Sequence, residues 1–342
     1  MEEKKLLNIA VTSATTLANL INEQGKFCYA FKVKEIETLG GYNMVRHAGC
    51  LWSLYRTANA LASMGIKMDS RYFAQCEKAL KYLYSKIGRA FPGDGSPIVD
   101  KGWANLGATG LAVLALCEAS LSAAPTIPEL HNHSVARLIR ELCAYIMLVQ
   151  RNTGEFTMHK VQISDGEVSN FVSNFYPGEA LLGLSKARQV LADPIFDQNI
   201  EAGIRYYYTD CKANGFHKDH WMIQALALYN SKYLDYADAI VRATLKTKIP
   251  YHDTCSIACR TEALLAYGKI LETVAPISNK LKDDIYTLIE IQLGAYISDG
   301  LFKGAWVAEP GSSIARCDYI QHNLAAIIGY LELTGGGEKL KK

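Results

Sequence analysis

Acidic and imidazole side chains stand at the start of several otherwise apolar segments of this 342-residue sequence. Burying such a group costs several kcal/mol unless it finds a partner, so the recurrence points to a use. Carboxyl and imidazole groups are the usual general acids and bases of enzymes, and the set predicts acid–base chemistry on a hydroxylated substrate. The candidate catalytic residues are His47, Glu179, Asp219, His220, Glu262 and His322.

A second set of polar and aromatic residues could bind the substrate. Guanidinium groups suit a carboxylate or a phosphate, so Arg46 and Arg260 are expected to hold an anionic group. Aromatic rings at a cavity mouth can stack on sugar faces or plug the opening. The candidate binding residues are Tyr42, Asn43, Arg46, Trp103, Tyr176, Arg260, Trp306, Asp318 and Gln321. The structural alternative is that such residues cap helices or pair with one another, as Arg46 could with Glu179.

The elements that must position these residues are helices of two alternating kinds, because apolar residues recur with helical spacing. Amphipathic segments with a charged face cover residues 6–22, 70–87, 133–150, 196–209, 233–246 and 281–296. Segments that are apolar on nearly every side cover residues 48–62, 107–119, 178–190, 220–230, 258–271 and 323–333. A helix that is apolar all round has to be covered all round, so the second kind is expected to form an inner layer.

Similar joints link each amphipathic segment to the next apolar one. A glycine followed closely by phenylalanine occurs at residues 25–27, 88–91, 154–156, 215–216 and 300–302, whereas the joint at 249–253 lacks the glycine. Such a glycine is expected to end the amphipathic helix in a left-handed conformation. Six helix pairs predict an all-α fold, an (α/α)6 barrel. The barrel is expected to form one domain over residues 1–342, with pairs spanning about 6–333 and a flexible tail at 334–342.

The repeat resembles that of the α/α toroid superfamily, which includes six-hairpin glycosidases, sugar epimerases, lanthionine cyclases, terpene cyclases and protein prenyltransferase β subunits. The resemblance implies that the inner helices begin around one mouth, covered by the long loops at residues 91–103, 159–174 and 303–316. It also implies a carbohydrate-active enzyme. A glycoside hydrolase needs two carboxyl groups across the bond, and an epimerase of this type needs two opposed bases, commonly histidines. A helical bundle or an open solenoid is the architectural alternative.

Two other functions stay open. Asp253 and Cys255, followed one repeat later by His322, resemble the zinc ligands of prenyltransferase β subunits and would leave one position open for a transferase reaction. A non-catalytic binding toroid would instead fill its mouth with aromatic plugs and paired charges. The carbohydrate-active interpretation requires no cofactor, and the transferase interpretation requires zinc.

The composition excludes several further classes. Thirty-six basic and 34 acidic residues give a net charge of +2, without the positive excess typical of nucleic-acid-binding proteins. No apolar stretch approaches the ~18 residues of a membrane span, and the N-terminus is too polar for a signal peptide. Nine cysteines without a CxxC pair favour reduced thiols and a cytoplasmic location. The expected partner is a small molecule or an oligosaccharide, an anionic one included.

Overall fold

The computed structural model describes residues 3–35, 37–88, 95–122, 134–229, 231–248 and 253–335. Twelve α-helices occur within these ranges. In chain order they are α1 (Glu3–Asn19), α2 (Met44–Ser63), α3 (Ser70–Tyr84), α4 (Leu106–Leu121), α5 (Val135–Leu148), α6 (Tyr176–Leu191), α7 (Asp197–Asn214), α8 (His220–Tyr229), α9 (Leu234–Lys246), α10 (Thr254–Glu272), α11 (Asn279–Leu293) and α12 (Cys317–Leu333). Two short 3-10 helices, Pro194–Phe196 and Ser231–Tyr233, precede α7 and α9.

The even-numbered helices form a closed inner ring. Each packs against the next, from α2 through α4, α6, α8 and α10 to α12, and α12 packs back against α2. The odd-numbered helices lie outside this ring, as α5 does against α4 and α6, and α11 against α10 and α12. The predicted (α/α)6 barrel is therefore confirmed.

Burial follows the two predicted kinds of helix. In the inner helix α4, every residue from Leu106 to Ala119 is buried. The outer helix α3 buries one face only, at positions three or four residues apart such as Tyr72, Cys76 and Ala79. An outer helix thus covers one side of the inner ring, and solvent covers its charged side.

Two inner helices, α2 and α10, begin four residues before the apolar segments predicted from the sequence, and each has a polar capping residue. The Asn43 side chain accepts a hydrogen bond from the Arg46 main-chain N–H at 2.9 Å, at the start of α2. The Asp253 carboxylate accepts one from the Ser256 main-chain N–H at 3.2 Å, at the start of α10. Such caps satisfy free N–H groups and extend the helix into the polar residues ahead of the apolar run. Polar side chains therefore project from the first turns.

The joint at residues 154–156 shows why a glycine is needed between two helices. Gly154 has a φ of +99°, and a Cβ there would collide with the carbonyl group of Ala202 on α7. The Gln150 side chain donates to the carbonyl oxygen of Gly154 at 3.0 Å, and Phe156 is buried behind the turn. The sequence had predicted that this glycine ends the helix. It lies instead in the turn beyond α5, which ends at Leu148. Left-handed glycines also occupy the joints at residues 25, 215 and 300, and Gly215 ends α7 directly, as predicted. Gly88 is not left-handed, so the prediction is wrong there, and residues 89–91 and 249–252 lie outside the described residues.

Two small antiparallel sheets lie beside the starts of the inner helices. Their strands are β1 (Ala30–Lys32), β2 (Glu37–Leu39), β3 (Val99–Asp100), β4 (Trp103–Asn105), β5 (Lys160–Gln162) and β6 (Ile314–Arg316). The first sheet has the order β2-β1-β6, with Ala30 opposite Leu39 and Arg316, and the second has the order β3-β4-β5. Because β4 leads directly into α4 and β6 into α12, the sheets form part of the rim of the barrel. Strands this short leave no alternating pattern in the sequence, which is why none was predicted.

None of the helices in the described ranges is both long and apolar enough to cross a membrane. Of the predicted tail, residues 336–342 lie outside the described part of the chain.

Candidate active site

A cavity of about 550 Å³ opens at the end of the barrel where the inner helices begin. All six inner helices contribute to its walls, through their first turns or through residues just ahead of them. The positive ends of six helix dipoles therefore point toward one space. The predicted site residues that line it are Asn43, Arg46, Tyr176, Glu179, His220, Cys255, Arg260, Asp318, Gln321 and His322.

Two histidines lie side by side in the cavity wall. The rings of His220, the first residue of α8, and His322, in the second turn of α12, have centroids 5.4 Å apart. Nε2 of His220 is buried and has no hydrogen-bond partner among the described residues. Burial, with the positive charges of His322 and Lys218, holds the pKa of His220 well below its ordinary value. His220 is therefore a neutral imidazole with a free nitrogen.

Glu262 forms a hydrogen-bonded ion pair with His322. Its Oε1 lies 2.7 Å from Nδ1 of His322, and Gln224 donates to its Oε2 at 3.3 Å. Burial opposes protonation of His322, but the negative charges of Cys255 and Glu262 outweigh it and raise the pKa of His322 to about 10. The two imidazoles therefore differ in protonation at neutral pH. Glu262 itself does not line the mouth; it lines a second cavity of about 360 Å³ at the opposite end of the barrel.

Glu179 places a buried carboxyl group in the cavity wall. The residue is 4% exposed, and its Oε2 has no hydrogen-bond partner among the described residues. Gly107 on α4 leaves room for it, because a Cβ there would collide with Oε2 of Glu179 and with the ring of Tyr176. Burial, followed by the charge of Asp219, raises the pKa of Glu179 to about 8. The carboxyl group is thus protonated at neutral pH and can donate a hydrogen bond.

Arg46 pairs with Asp318 and not with Glu179. Nε of Arg46 lies 2.9 Å from Oδ2 of Asp318, and Arg316 binds both oxygens of the same carboxylate, with its Nε 2.8 Å from Oδ1. Burial favours the protonated form of Asp318, but the two guanidinium groups outweigh it and hold its pKa below the usual range. This wall therefore carries an ionised carboxylate between two arginines.

His47 and Tyr42 lie away from the cavity, which corrects their predicted roles. His47 is 1% exposed, with Nε2 3.0 Å from the carbonyl oxygen of Ala79 on α3 and Nδ1 2.5 Å from the hydroxyl of Tyr42. Its ring also packs against Phe27 and Tyr82. Burial lowers the pKa of His47 to about 4, so this neutral imidazole joins α2 to α3.

Three more predicted residues do not line the cavity. The Asp219 carboxylate accepts two hydrogen bonds from main-chain N–H groups of α8, at 3.0 and 3.1 Å, and thus acts as a helix cap. Trp306 is fully buried and donates to the Ser13 hydroxyl at 3.0 Å, so it packs the core beside α1. Trp103 lies in β4, half-buried. Capping replaces the catalytic role predicted for Asp219, and core packing replaces the sugar-binding role predicted for Trp306.

The predicted zinc ligands do not form one group. Asp253 caps α10 and accepts a hydrogen bond from the Ser256 hydroxyl at 2.5 Å. Another set brings one ligand atom each within 4.8 Å: His220, Cys259, Glu262 and His322. In that set Nδ1 of His322 and Oε1 of Glu262 are 2.7 Å apart, the spacing of a hydrogen bond. Two ligands of one tetrahedral zinc would lie about 3.3 Å apart. The residues therefore fit an ion pair better than a metal centre.

Several residues of the cavity wall were missed in the sequence: Lys160, Phe171, Phe175, Lys218, Trp221, Cys259 and Arg316. Phe171 and Phe175 are 41% and 38% exposed, and their rings lie 5.5 Å from Tyr176 and 6.0 Å from His220. Exposed aromatic rings at a mouth provide a surface on which a sugar can stack. Their occurrence in and beside the long loop at residues 159–174 was the available signal.

The closed double ring of helices, with a cavity at the starts of the inner helices, is the architecture of an (α/α)6 barrel. No protein-family model and no curated protein matches the chain. Among solved structures, it is similar to cellobiose 2-epimerase from Spirochaeta thermophila, with a TM-score of 0.70, 12% identity, and coverage of 98% of this chain and 96% of that one. For a D-mannose isomerase the values are 0.69, 13%, 96% and 98%. For unsaturated glucuronyl hydrolase from a Bacillus species they are 0.64, 12%, 98% and 97%.

Proposed function

We propose that this protein is a carbohydrate-active enzyme that moves a proton on the carbon next to a sugar carbonyl, as sugar isomerases and epimerases do. The observation that carries the proposal is the pair His220 and His322, which share one wall of the cavity with opposite protonation. The structures that share the fold include an epimerase and an isomerase of sugars, which supports the same substrate class here.

The free Nε2 of His220 would be the base. It takes the proton as the C–H bond next to the carbonyl breaks, and the electron pair moves onto the carbonyl oxygen to give an enediolate. Protonated His322 and the neutral carboxyl group of Glu179 can both donate hydrogen bonds to the oxygen that becomes negative. Return of the proton to carbon completes the reaction. When it returns to the neighbouring carbon, the hydroxyl oxygen on the first carbon loses its proton and the former carbonyl oxygen gains one, so neither water nor a nucleotide is consumed.

The placement of the two rings favours isomerisation over epimerisation. With centroids 5.4 Å apart, the imidazoles are in contact on one wall. A base that returns the proton to the same face of the enediolate, at the neighbouring carbon, interconverts an aldose and a ketose. Epimerisation needs the proton to return to the opposite face, which requires a second base across the substrate or a turn of the intermediate within the cavity.

Glycoside hydrolysis is the second candidate, because Glu179 is protonated as a general acid must be. The reaction also needs an ionised carboxylate across the bond. Asp318 is held by two arginines, which leaves Asp100, whose carboxylate lines the cavity and accepts one hydrogen bond, from the Met44 main-chain N–H at 3.2 Å.

The test is exchange of the hydrogen at the carbon beside the carbonyl in D2O, followed by proton NMR, with mannose, glucose and cellobiose as probes. Loss of one proton-transfer group is expected to slow exchange by about a hundredfold or more, so H220N and H322N should each do so. The matched control is H217N, an exposed histidine three residues before His220. Release of reducing ends from oligosaccharides without any exchange, abolished by E179Q or D100N, would replace this proposal by the hydrolase.

We further propose a cytoplasmic location and a small-molecule or oligosaccharide partner. All nine cysteines are free thiols, which is compatible with a reducing compartment. The proposed proton transfer needs no cofactor, since both proton carriers are side chains.

A further inference from the structure

Positive charge is concentrated on the cavity walls. Five lysine and arginine side chains line the cavity: Arg46, Lys160, Lys218, Arg260 and Arg316. Three carboxyl groups line it, those of Asp100, Glu179 and Asp318, and the raised pKa of Glu179 keeps that one protonated at neutral pH. Over the whole chain the charges nearly balance, at 36 basic and 34 acidic residues. The excess of positively charged side chains is therefore a feature of this cavity and not of the chain as a whole.

Two of the five cations already share a carboxylate. Arg46 and Arg316 both bind Asp318, and both guanidinium groups also stack on the ring of Tyr29, at 5.1 and 5.4 Å from its centroid. Lys160 lies 4.1 Å from the ring centroid of Phe171. These contacts hold the three side chains in place, and the ion pairs with Asp318 partly neutralise the charges of Arg46 and Arg316.

Arg260 has no such partner. It is half-buried, and Nη2 donates to two main-chain carbonyl oxygens at the end of α9, those of Thr244, at 2.8 Å, and Thr247. Its Nε is buried and unbonded, and among the described residues no carboxylate lies within ion-pair distance of the guanidinium. Burial alone lowers the pKa of Arg260. A partly buried cation without a counter-charge is costly, and an anionic ligand would remove that cost.

The unpaired guanidinium lines the same cavity as the proposed acid–base pair, His220 and His322. Lys218 stands at the mouth two residues before His220, exposed and with no ion-pair partner among the described residues. A ligand in contact with both histidines therefore has Arg260 and Lys218 within the same cavity.

We propose that the substrate is an acidic sugar, one that bears a carboxylate or a phosphate ester, and that Arg260 binds this group. The inference rests on the proposed carbohydrate activity and names its substrate class. It also revises the expectation that Arg46 and Arg260 hold the anion together, because Arg46 is already bound to Asp318. A guanidinium with Nε free offers directed N–H donors to an oxyanion, which a neutral sugar would leave unused.

The test is calorimetric titration with three matched ligands: mannose, mannuronate and mannose 6-phosphate. We expect the wild type to bind one of the acidic sugars at least about tenfold more tightly than mannose, the effect of one charge-assisted hydrogen bond. R260Q should remove this preference. R71Q, which changes an exposed arginine on α3 outside the cavity, should keep it. The two acidic ligands separate a carboxylate site from a phosphate site.

Because Arg260 also bonds to the end of α9, R260Q could unfold for structural reasons. R260K keeps the charge, and thermal unfolding of both variants shows whether they are folded. If neither folds, the preference of the wild type still decides. Equal binding of mannose and both acidic sugars, or a preference that folded R260Q retains, overturns the inference.

Failure of this inference is distinct from failure of the proposed function. Hydrogen exchange in mannose, without preferential binding of an acidic sugar, would leave the proton-transfer activity in place and remove the anion site. Binding of an acidic sugar through Arg260, without exchange in any ligand, would keep the anion site and remove the proton-transfer activity.

Discussion

Replacing Glu179 with glutamine is expected to lower kcat and, at neutral pH, to stabilise the protein. The glutamine amide has nearly the shape of the protonated carboxyl group, so it fits the space that Gly107 leaves. It cannot ionise, and its amide N–H is a weaker hydrogen-bond donor than the carboxyl O–H to the oxygen that becomes negative. The two effects have one cause, the burial of a carboxyl group with an unbonded oxygen.

The size of the stabilisation follows from the pKa. Burial raises the pKa of Glu179 from the ordinary value of 4.5 to about 8. Between these values the unfolded chain releases the proton and the folded chain keeps it, so the stability of the wild type falls as the pH rises from 4.5 to 8. At about 1.36 kcal/mol per pKa unit, the penalty is about 3 kcal/mol at pH 7 and about 5 kcal/mol above pH 8. E179Q carries none of it.

Urea unfolding of the wild type and E179Q between pH 4.5 and 8.5 measures this difference. The two proteins should be nearly equal in stability at the lower pH, and E179Q should gain about 3 kcal/mol over the wild type by pH 7. A difference that does not change with pH, or a less stable E179Q at pH 8, would refute the assignment of Glu179 as a buried, protonated acid.

Three further outcomes are expected. E262Q should move the alkaline limb of the kcat/KM pH profile to lower pH by about 1–2 units. It removes from His322 a charged hydrogen bond worth about 1.5–3 kcal/mol, which lowers the pKa of this histidine. An alkaline limb that does not move would contradict the pairing of Glu262 with His322. W306F should lower the free energy of unfolding by about 1–3 kcal/mol in urea titrations, since it leaves the Ser13 hydroxyl unpaired, with kcat unchanged; a selective loss of kcat would return the residue to the site. Elemental mass spectrometry should find well below one zinc per chain, and chelation should leave activity intact; stoichiometric zinc that C255S or C259S loses would restore the transferase interpretation.

The sequence by itself predicted the barrel, with a helical bundle or an open solenoid as the alternative. The alternation of one-sided and all-round apolar helices is a local property, and six repeats of it leave a closed double ring as the arrangement that covers every inner helix. The polar end of the ring was equally readable, since caps such as Asn43 and polar residues such as Glu179 precede or begin the apolar runs. The short strands left no such pattern.

Only the tertiary structure decided which polar side chains face the cavity. Successive helical residues point about 100° apart, so Arg46 faces the mouth while His47 turns to α3, and His220 faces it while Asp219 caps its own helix. An inner helix is apolar on every side, so its sequence has no amphipathic face to mark the barrel axis. The angle of each helix about its own axis is set by packing against its neighbours, and with it the pairing of Glu262 with His322 and the isolation of Arg260.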